Sequence, residues 1–89
     1  MSQFATGASL TYASAKAALD DGLGRIAGGA TAVDCAALAQ FDSAALAVLL
    51  AWQRAARSRG AALAILNLPP TLASLARAYG IDSLLDERH

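Results

Sequence analysis

The pair Asp42-Ser43 is the first place to look for chemistry, because a carboxylate and a hydroxyl stand directly before the strongly apolar run "AALAVLL". Asp and Ser are also the preferred N-cap residues of helices, since their oxygens accept the unpaired N–H groups of the first turn. Local chemistry alone therefore favours a helix cap at Asp42 or Ser43. Whether the pair also carries the function of the protein is left open by these residues.

The remaining reactive side chains do not form a catalytic set. The only histidine, His89, is the last residue, so a His-based triad or metal site is not expected. Cys35 ends a short apolar run and has no histidine to activate it, which indicates a packed core thiol. No Gly-rich phosphate loop is present. Sequence neighbours on a helix do not share a face, so the adjacent carboxylates are expected on a solvated surface: Asp20, Asp21, Asp86 and Glu87. We therefore expect no enzyme, no metal ion and no cofactor.

The charge balance limits the class of partner. Lys plus Arg and Asp plus Glu each number 7 in a chain of 89 residues, so the formal net charge is zero. Sequence-independent binding of nucleic acid needs a basic excess, and so does recruitment to an anionic membrane. The start of the chain shows no targeting pattern, and the longest charge-free run, 60–76, is broken by two prolines, so direct membrane insertion is not expected. Length and composition predict a single domain over residues 1–89, located in the cytoplasm.

Strand-like and helix-like segments alternate along the chain. Strand patterns are seen in "SQFA", "GASLTYASA", "ATAVDC" and "AALAIL". Helix patterns are seen in "SAKAALDDGLGRIAGG" with Ser14 as its cap, in residues 44–59 with Gly60 at its end, and in "LPPTLASLARAYG". The tail "IDSLLDERH" fits either a last strand turn or a brief helix. Each crossover is long enough for a helix, which predicts an α/β sheet with parallel neighbours.

A helical wheel predicts the faces of the central helix. The residues expected to face the sheet are Ala45, Leu49, Trp52 and Ala56. Arg54 and Ser58 mark the polar direction, and Ser43 and Ala47 lie near it. The two flanks are Leu46 with Leu50, and Val48 with Ala55. This apolar arc is wider than one sheet contact needs, so at least one flank is expected to stay partly exposed as a docking surface. An alternative of equal weight is that the exposed Leu and Ala side chains have no binding role, because small domains leave some apolar residues exposed.

The order of these features is more specific than any one of them. A buried strand ends in Asp34, Asp42-Ser43 opens an apolar helix, a strand follows Gly60, and the last long helix leads into "YGID". This arrangement, from Ala30 to Leu85 with looser similarity before it, resembles the STAS domain family. That family includes the anti-sigma factor antagonists and the small cytoplasmic STAS subunit of Mla-type phospholipid ABC transporters. The resemblance implies an α/β STAS fold, with a four- to five-stranded mixed sheet and helices packed mainly on one face.

The resemblance also implies a function and a site. Ser43 stands at the position of the family's phosphorylatable Ser or Thr, with Asp42 as its acidic neighbour. The favoured function is a non-catalytic regulatory subunit that binds the cytoplasmic ATPase of a phospholipid-transporting ABC system, which maintains outer-membrane lipid asymmetry. The protein would then lie at the inner face of the bacterial inner membrane through its partner.

The alternative function is an anti-sigma factor antagonist that a kinase partner switches by phosphorylating Ser43. Both functions use one surface, whose expected partner-binding residues are Asp42, Ser43, Leu46, Ala47, Leu50 and Arg54. The exposed apolar flank expected there leaves a weak homodimer open as well.

Overall fold

The computed structural model describes residues 3–85. In chain order its elements are β1 (Gln3–Ala5), β2 (Ser9–Leu10), α1 (Ala15–Ala27), β3 (Ala32–Asp34), β4 (Gln40–Phe41), α2 (Ser43–Ser58), β5 (Ala64–Leu66), α3 (Pro70–Ala78) and α4 (Asp82–Leu85). The three long helices lie where the helix patterns predict them. The tail "IDSLLDERH" begins as a brief helix, α4, and its last four residues lie outside the described part of the chain.

The strands form two small parallel sheets. One has the order β1-β3-β5, with Phe4, Val33 and Ile65 as register partners, and the other pairs β2 with β4. The α/β class is confirmed, but the predicted single mixed sheet is wrong for residues 3–85, because every strand pairing there is parallel. The reason is the connectivity: neighbouring strands are joined through α1 or α2, and such a crossover returns the chain in the same direction.

The predicted strand "GASLTYASA" is wrong in extent. Gly7 has a φ of 77°, a conformation that favours glycine, and it separates β1 from β2. Strand β2 ends at Leu10, and residues 11–14 form a turn in which the Ser14 N–H donates to the Thr11 carbonyl. Tyr12 therefore lies in a turn rather than in a strand. The Ser14 hydroxyl also bonds to Thr11 and not to the first N–H groups of α1, so the predicted side-chain cap is not formed.

The core lies between one face of the three-stranded sheet and the helices. Phe4 is buried in β1 while its two neighbours in the strand are exposed, so this edge of the sheet buries one face only. The Phe4 ring meets the Trp52 ring of α2 edge-on, with the ring centroids 5.1 Å apart. Helix α2 is thus packed on the face of the sheet that carries Phe4, and α1, α3 and α4 pack around α2.

Helices α1 and α2 approach closely at one point. The indole of Trp52 lies against the backbone of Gly22, where a Cβ atom would overlap the ring. The indole N–H donates to the Leu19 carbonyl at 3.2 Å, and the ring is only 1% exposed. Glycine weakens a helix interior, yet here its missing side chain makes room for the largest aromatic ring in the core. This contact fixes the distance between the two helices.

On the side of α2 away from α1, a buried glutamine makes hydrogen bonds to other elements of the fold. The Gln53 amide donates to the carbonyls of Leu63 and Leu85, at 2.7 and 2.9 Å, and its oxygen accepts from the Leu63 N–H at 3.4 Å. A buried polar side chain is tolerated when its hydrogen bonds are made, and this one uses all three to join the entrance of β5 to the end of α4. The sequence pattern did not predict this role.

The helical wheel was right about the sheet-facing side of α2, but one residue on each flank is buried as well. The four residues expected to face the sheet are all buried: Ala45, Leu49, Trp52 and Ala56. Leu46 is only 3% exposed, because it lies two turns before Gln53, on the side of α2 that α3 and α4 cover. Val48 is buried too, whereas Leu50 and Ala55 are half-buried. Within residues 3–85, no helix is both long and apolar enough to cross a membrane.

Candidate functional site

Asp42 organises the entrance of α2 with both of its carboxylate oxygens. Its extended backbone places it at the N-cap, where Oδ1 accepts from the Ala44 N–H at 2.9 Å. Oδ2 accepts from the backbone N–H of Tyr12 at 3.1 Å, across 30 positions of sequence. The first bond is the helix cap that local chemistry predicts. The second ties the turn before α1 to the start of α2, which no sequence pattern indicated.

Ser43 is the first residue of α2 and is exposed. No hydrogen bond of its hydroxyl is found within residues 3–85, because Asp42 already supplies the cap. A hydroxyl that is exposed, unengaged and placed at a helix N-terminus is accessible to a partner. The positive end of the helix dipole also favours added negative charge at this position.

The outer face of α2 contains four of the six residues predicted to bind a partner. Ser43, Ala47 and Arg54 are exposed, and Leu50 lies half-buried between them. The buried position of Leu46 removes it from this face, which corrects its assignment as a contact residue. Asp42 lies at the end of the face with its carboxylate engaged in the two hydrogen bonds described above. We refer to Ser43, Ala47, Leu50 and Arg54 as the α2 face.

An open cleft of about 750 Å³ lies beside the α2 face, between the N-terminal halves of α1 and α2. Its lining comes from both helices and from the turn before α1: Tyr12, Ala15, Lys16, Leu19, Asp42, Ser43, Ala44, Ala47 and Val48. The lining surface is mostly apolar, although four of the nine residues carry polar groups: Tyr12, Lys16, Asp42 and Ser43. Binding pockets have this composition, and the volume falls within their usual range of roughly 300–1,000 Å³.

Tyr12 and Lys16 line this site, and neither was predicted from the sequence. Tyr12 is 87% exposed beside the cleft, although its backbone is held by Asp42. Lys16 makes a surface ion pair with Asp20 at 3.4 Å, and pairs of this kind contribute little to stability. An exposed aromatic ring on a fixed backbone is a typical anchor of protein interfaces. The available signal was a tyrosine among small residues directly before a helix start.

A second polar group lies at the ends of β3 and β5, away from the cleft. The Asp34 carboxylate accepts from the Asn67 amide at 3.0 Å and from the Ala36 N–H at 2.9 Å. The amide of Asn67, followed by that N–H, lowers the pKa of Asp34 from its ordinary value of 3.8. These bonds hold two strand ends together. No cluster of His, Cys, Asp or Glu side chains suited to a metal ion is found in the described range.

Cys35 is fully buried directly after β3, as expected of a core thiol. Burial, and to a smaller extent the negative charge of Asp34, raises the pKa of its thiol to about 11. A thiol with so high a pKa is protonated at neutral pH and is a poor nucleophile. The exposed features described for residues 3–85 are thus an α-helical face, an apolar cleft and an accessible hydroxyl.

Comparison with known proteins agrees with this description. No curated protein matches the chain. Residues 6–86 match the model of a protein family described as "Mlab, STAS domain", which is almost the whole of the chain. STAS domains are in general non-catalytic modules of protein–protein interaction and regulation. This match and the α/β architecture lead to one conclusion: the chain belongs to the STAS domain family.

Proposed function

We propose that this STAS domain is a regulatory subunit that docks on the cytoplasmic ATPase of a phospholipid-transporting ABC system, one that maintains outer-membrane lipid asymmetry. The observation that carries the proposal is the exposed α2 face, which opens onto an apolar cleft at Ser43. The description of the matching family, which names an Mla-type STAS domain, supports this choice of partner. The protein would act in the cytoplasm, at the inner face of the inner membrane, through that ATPase.

The α2 face suits docking because the exposed side chains at the N-terminal end of the helix are small, so a partner can approach the backbone there. Ser43 and Ala47 lie one turn apart and leave the α2 backbone approachable, while Tyr12 projects beside them. Small residues at a contact allow close packing, and a fixed aromatic side chain supplies buried area at low entropic cost. Such a surface can hold an ATPase in one arrangement without taking part in hydrolysis.

A pair of matched variants tests the docking. Ala47→Glu places a long charged side chain on the α2 face, and Ala17→Glu places the same side chain on an exposed position of α1 outside the cleft. We expect the first to abolish co-purification with the ATPase subunit of the same organism and the second to leave it unchanged. Equal binding by both variants would show that the α2 face is not the docking surface. Sedimentation of the isolated chain separates docking from a weak homodimer through the same face.

An anti-sigma factor antagonist is the second candidate function, and the exposed, unengaged hydroxyl of Ser43 favours it. A kinase partner would phosphorylate Ser43 and add about 1.5 to 2 negative charges at pH 7. The helix N-terminus tolerates this dianion, so the fold would persist. Asp42 already carries a negative charge beside it, and a partner adapted to the unmodified surface would be repelled.

The two functions differ in the partner and in the modification of Ser43. Affinity purification from the native cell should recover an ABC ATPase if the first function is right, whereas a sigma-regulating kinase and no ATPase would refute it. Ser43→Asp should weaken partner binding and change the melting temperature by only a few degrees. A large loss of stability in this variant would instead mean that Ser43 is mainly structural. Mass spectrometry of the native protein tests the phosphorylation directly.

A further inference from the structure

The charges around the α2 face are uneven. Helix α2 contains no acidic residue, and within residues 3–85 the exposed Arg54 guanidinium makes no hydrogen bond or ion pair. The carboxylate of Asp42, at the other end of the face, is engaged with two backbone N–H groups. Lys16, which lines the cleft, makes a weak surface pair with Asp20 and no other ion pair in the described part of the chain. The unengaged charge that α2 offers to a partner is therefore positive.

The cleft and Arg54 are separated by a defined distance along α2. Ala47 lines the cleft, and Arg54 follows it by about two helical turns on the same side, which corresponds to roughly 10 Å along the axis. A second helix lying along α2 repeats its own side chains at the same interval. One apolar side chain of such a helix would enter the cleft, and a carboxylate two turns away would reach Arg54.

The shape of the face favours a helix as the occupant. Ser43, Ala47 and the half-buried Ala51 follow one row at intervals of four residues, and a row of small side chains forms a groove into which the ridge of another helix fits. The cleft continues this groove sideways towards α1. It is open to solvent rather than enclosed, so a side chain of a helix lying along α2 can enter it.

We propose that the occupant of this surface is an acidic amphipathic helix of the partner protein, with an apolar anchor in the cleft between α1 and α2 and an Asp or Glu paired with Arg54. This inference rests on the proposed function, since it specifies the chemistry of the partner segment. Pairing with Arg54 sets the direction and register of the helix, and burial of the anchor supplies most of the affinity.

Synthetic peptides test the chemistry without the natural partner. The first probe is an acetylated, amidated 16-residue helical peptide with one Leu and a Glu two turns later, and the second carries Lys in place of that Glu. Each is titrated to millimolar concentration into the complete ¹⁵N-labelled chain. We expect the Glu peptide to shift the amides of Ala15, Leu19, Ala44 and Ala47, and to bind about tenfold more tightly than the Lys peptide at low salt. Equal affinity of the two peptides, shifts elsewhere, or no shifts at all would overturn the proposal.

Charge reversal on the protein provides the matched control. Arg54→Glu should invert the preference, so that the Lys peptide binds more tightly. Arg59→Glu makes the same change of net charge at the C-terminal end of α2, beyond the α2 face, and should keep the original preference. A preference that is unaffected by Arg54→Glu would show that Arg54 does not pair with the peptide, and a preference that both variants change equally would show that only the net charge is sensed.

The natural partner separates this inference from the proposed function. If the ATPase binds the wild-type chain and Arg54→Glu weakens that binding no more than Arg59→Glu does, the acidic-helix inference fails and the proposed function stands. If the peptide preference is observed and no ATPase binds, the choice of partner fails and the acidic-helix surface stands.

Discussion

Replacement of Gly22 by alanine is the most direct test of how α1 and α2 are held together. A Cβ atom at Gly22 would overlap the indole of Trp52, whereas a Cβ atom at Gly24 meets no atom within 4 Å. The two glycines lie in the same helix, two positions apart, and both are replaced by the same residue. Any difference between Gly22→Ala and Gly24→Ala therefore comes from the contact with α2 and not from helix propensity.

The expected magnitude follows from the surroundings of the ring. The Trp52 ring is held by its hydrogen bond to the Leu19 carbonyl and by the edge-on contact with Phe4, so it cannot move away freely. Overpacking costs about 1–3 kcal/mol, and weakening the hydrogen bond adds about 1 kcal/mol. The higher helix propensity of alanine offsets about 1 kcal/mol of this cost. Gly22→Ala should thus destabilise by about 1–3 kcal/mol, while Gly24→Ala should stabilise by about 0.5–1 kcal/mol.

Urea denaturation followed by circular dichroism measures both free energies of unfolding, and Trp52, the only tryptophan of the chain, reports the same transition by fluorescence. In a domain of this size, 1 kcal/mol corresponds to about 4–8 °C in melting temperature, so the two variants should shift it in opposite directions. If Gly22→Ala is as stable as Gly24→Ala, or more stable, the close contact between the two helices does not exist as described.

Three further measurements test the contacts around the site. Gln53→Leu keeps the volume but leaves buried backbone groups without partners, so it should destabilise by about 2–4 kcal/mol in urea denaturation, whereas Gln40→Leu at an exposed position should change stability by less than about 0.5 kcal/mol. Asp42→Asn can satisfy only one of the two backbone N–H groups; amide exchange at one of them should become faster, and unchanged exchange at both would contradict the bridge between the helices. Asn67→Gly keeps the positive φ of that residue and removes the amide, so an NMR titration should show the pKa of Asp34 rise towards 3.8. The folded pKa of Asp34 lies below its unfolded value, so its contribution to stability is complete above the unfolded pKa and is lost as the pH falls through the folded pKa. The variant should show a weaker dependence of stability on pH, since only the bond from the Ala36 N–H remains.

The helices were predictable from the sequence and the strands only in part. Helices α1, α2 and α3 span 9 to 16 residues, enough for the apolar period, the prolines and the final glycines to mark them. The strands have only two or three residues, and an alternation over so few positions is not a recognisable pattern. No strand was predicted at β4 for this reason. The break at Gly7 was missed because a glycine inside a strand-like run does not reveal its φ angle.

The positions of site residues along α2 were predictable from the sequence, but the contacts that other elements make with α2 were not. The wheel placed Ser43, Ala47 and Arg54 on one side of α2 because their positions follow from the helical period alone. It could not show that the side carrying Leu46 is covered by α3 and α4, since that cover comes from distant residues. Tyr12 was missed for the same reason: it joins the site through a hydrogen bond to a residue 30 positions away.

The structure also changes the relation between the two interpretations of Asp42-Ser43. A helix cap and a functional hydroxyl compete if a single side chain must serve as both. Here Asp42 serves as the cap, and its second oxygen fixes Tyr12, so the Ser43 hydroxyl is released from any structural hydrogen bond within the described residues. A phosphate or a partner group can then reach Ser43 without removing the cap that starts α2. Because the same carboxylate holds the turn before α1, negative charge added at Ser43 would act on the cleft as well as on the partner, through its repulsion of Asp42. In the proposed switch, Asp42 is thus the physical link between a phosphorylated Ser43 and the shape of the cleft.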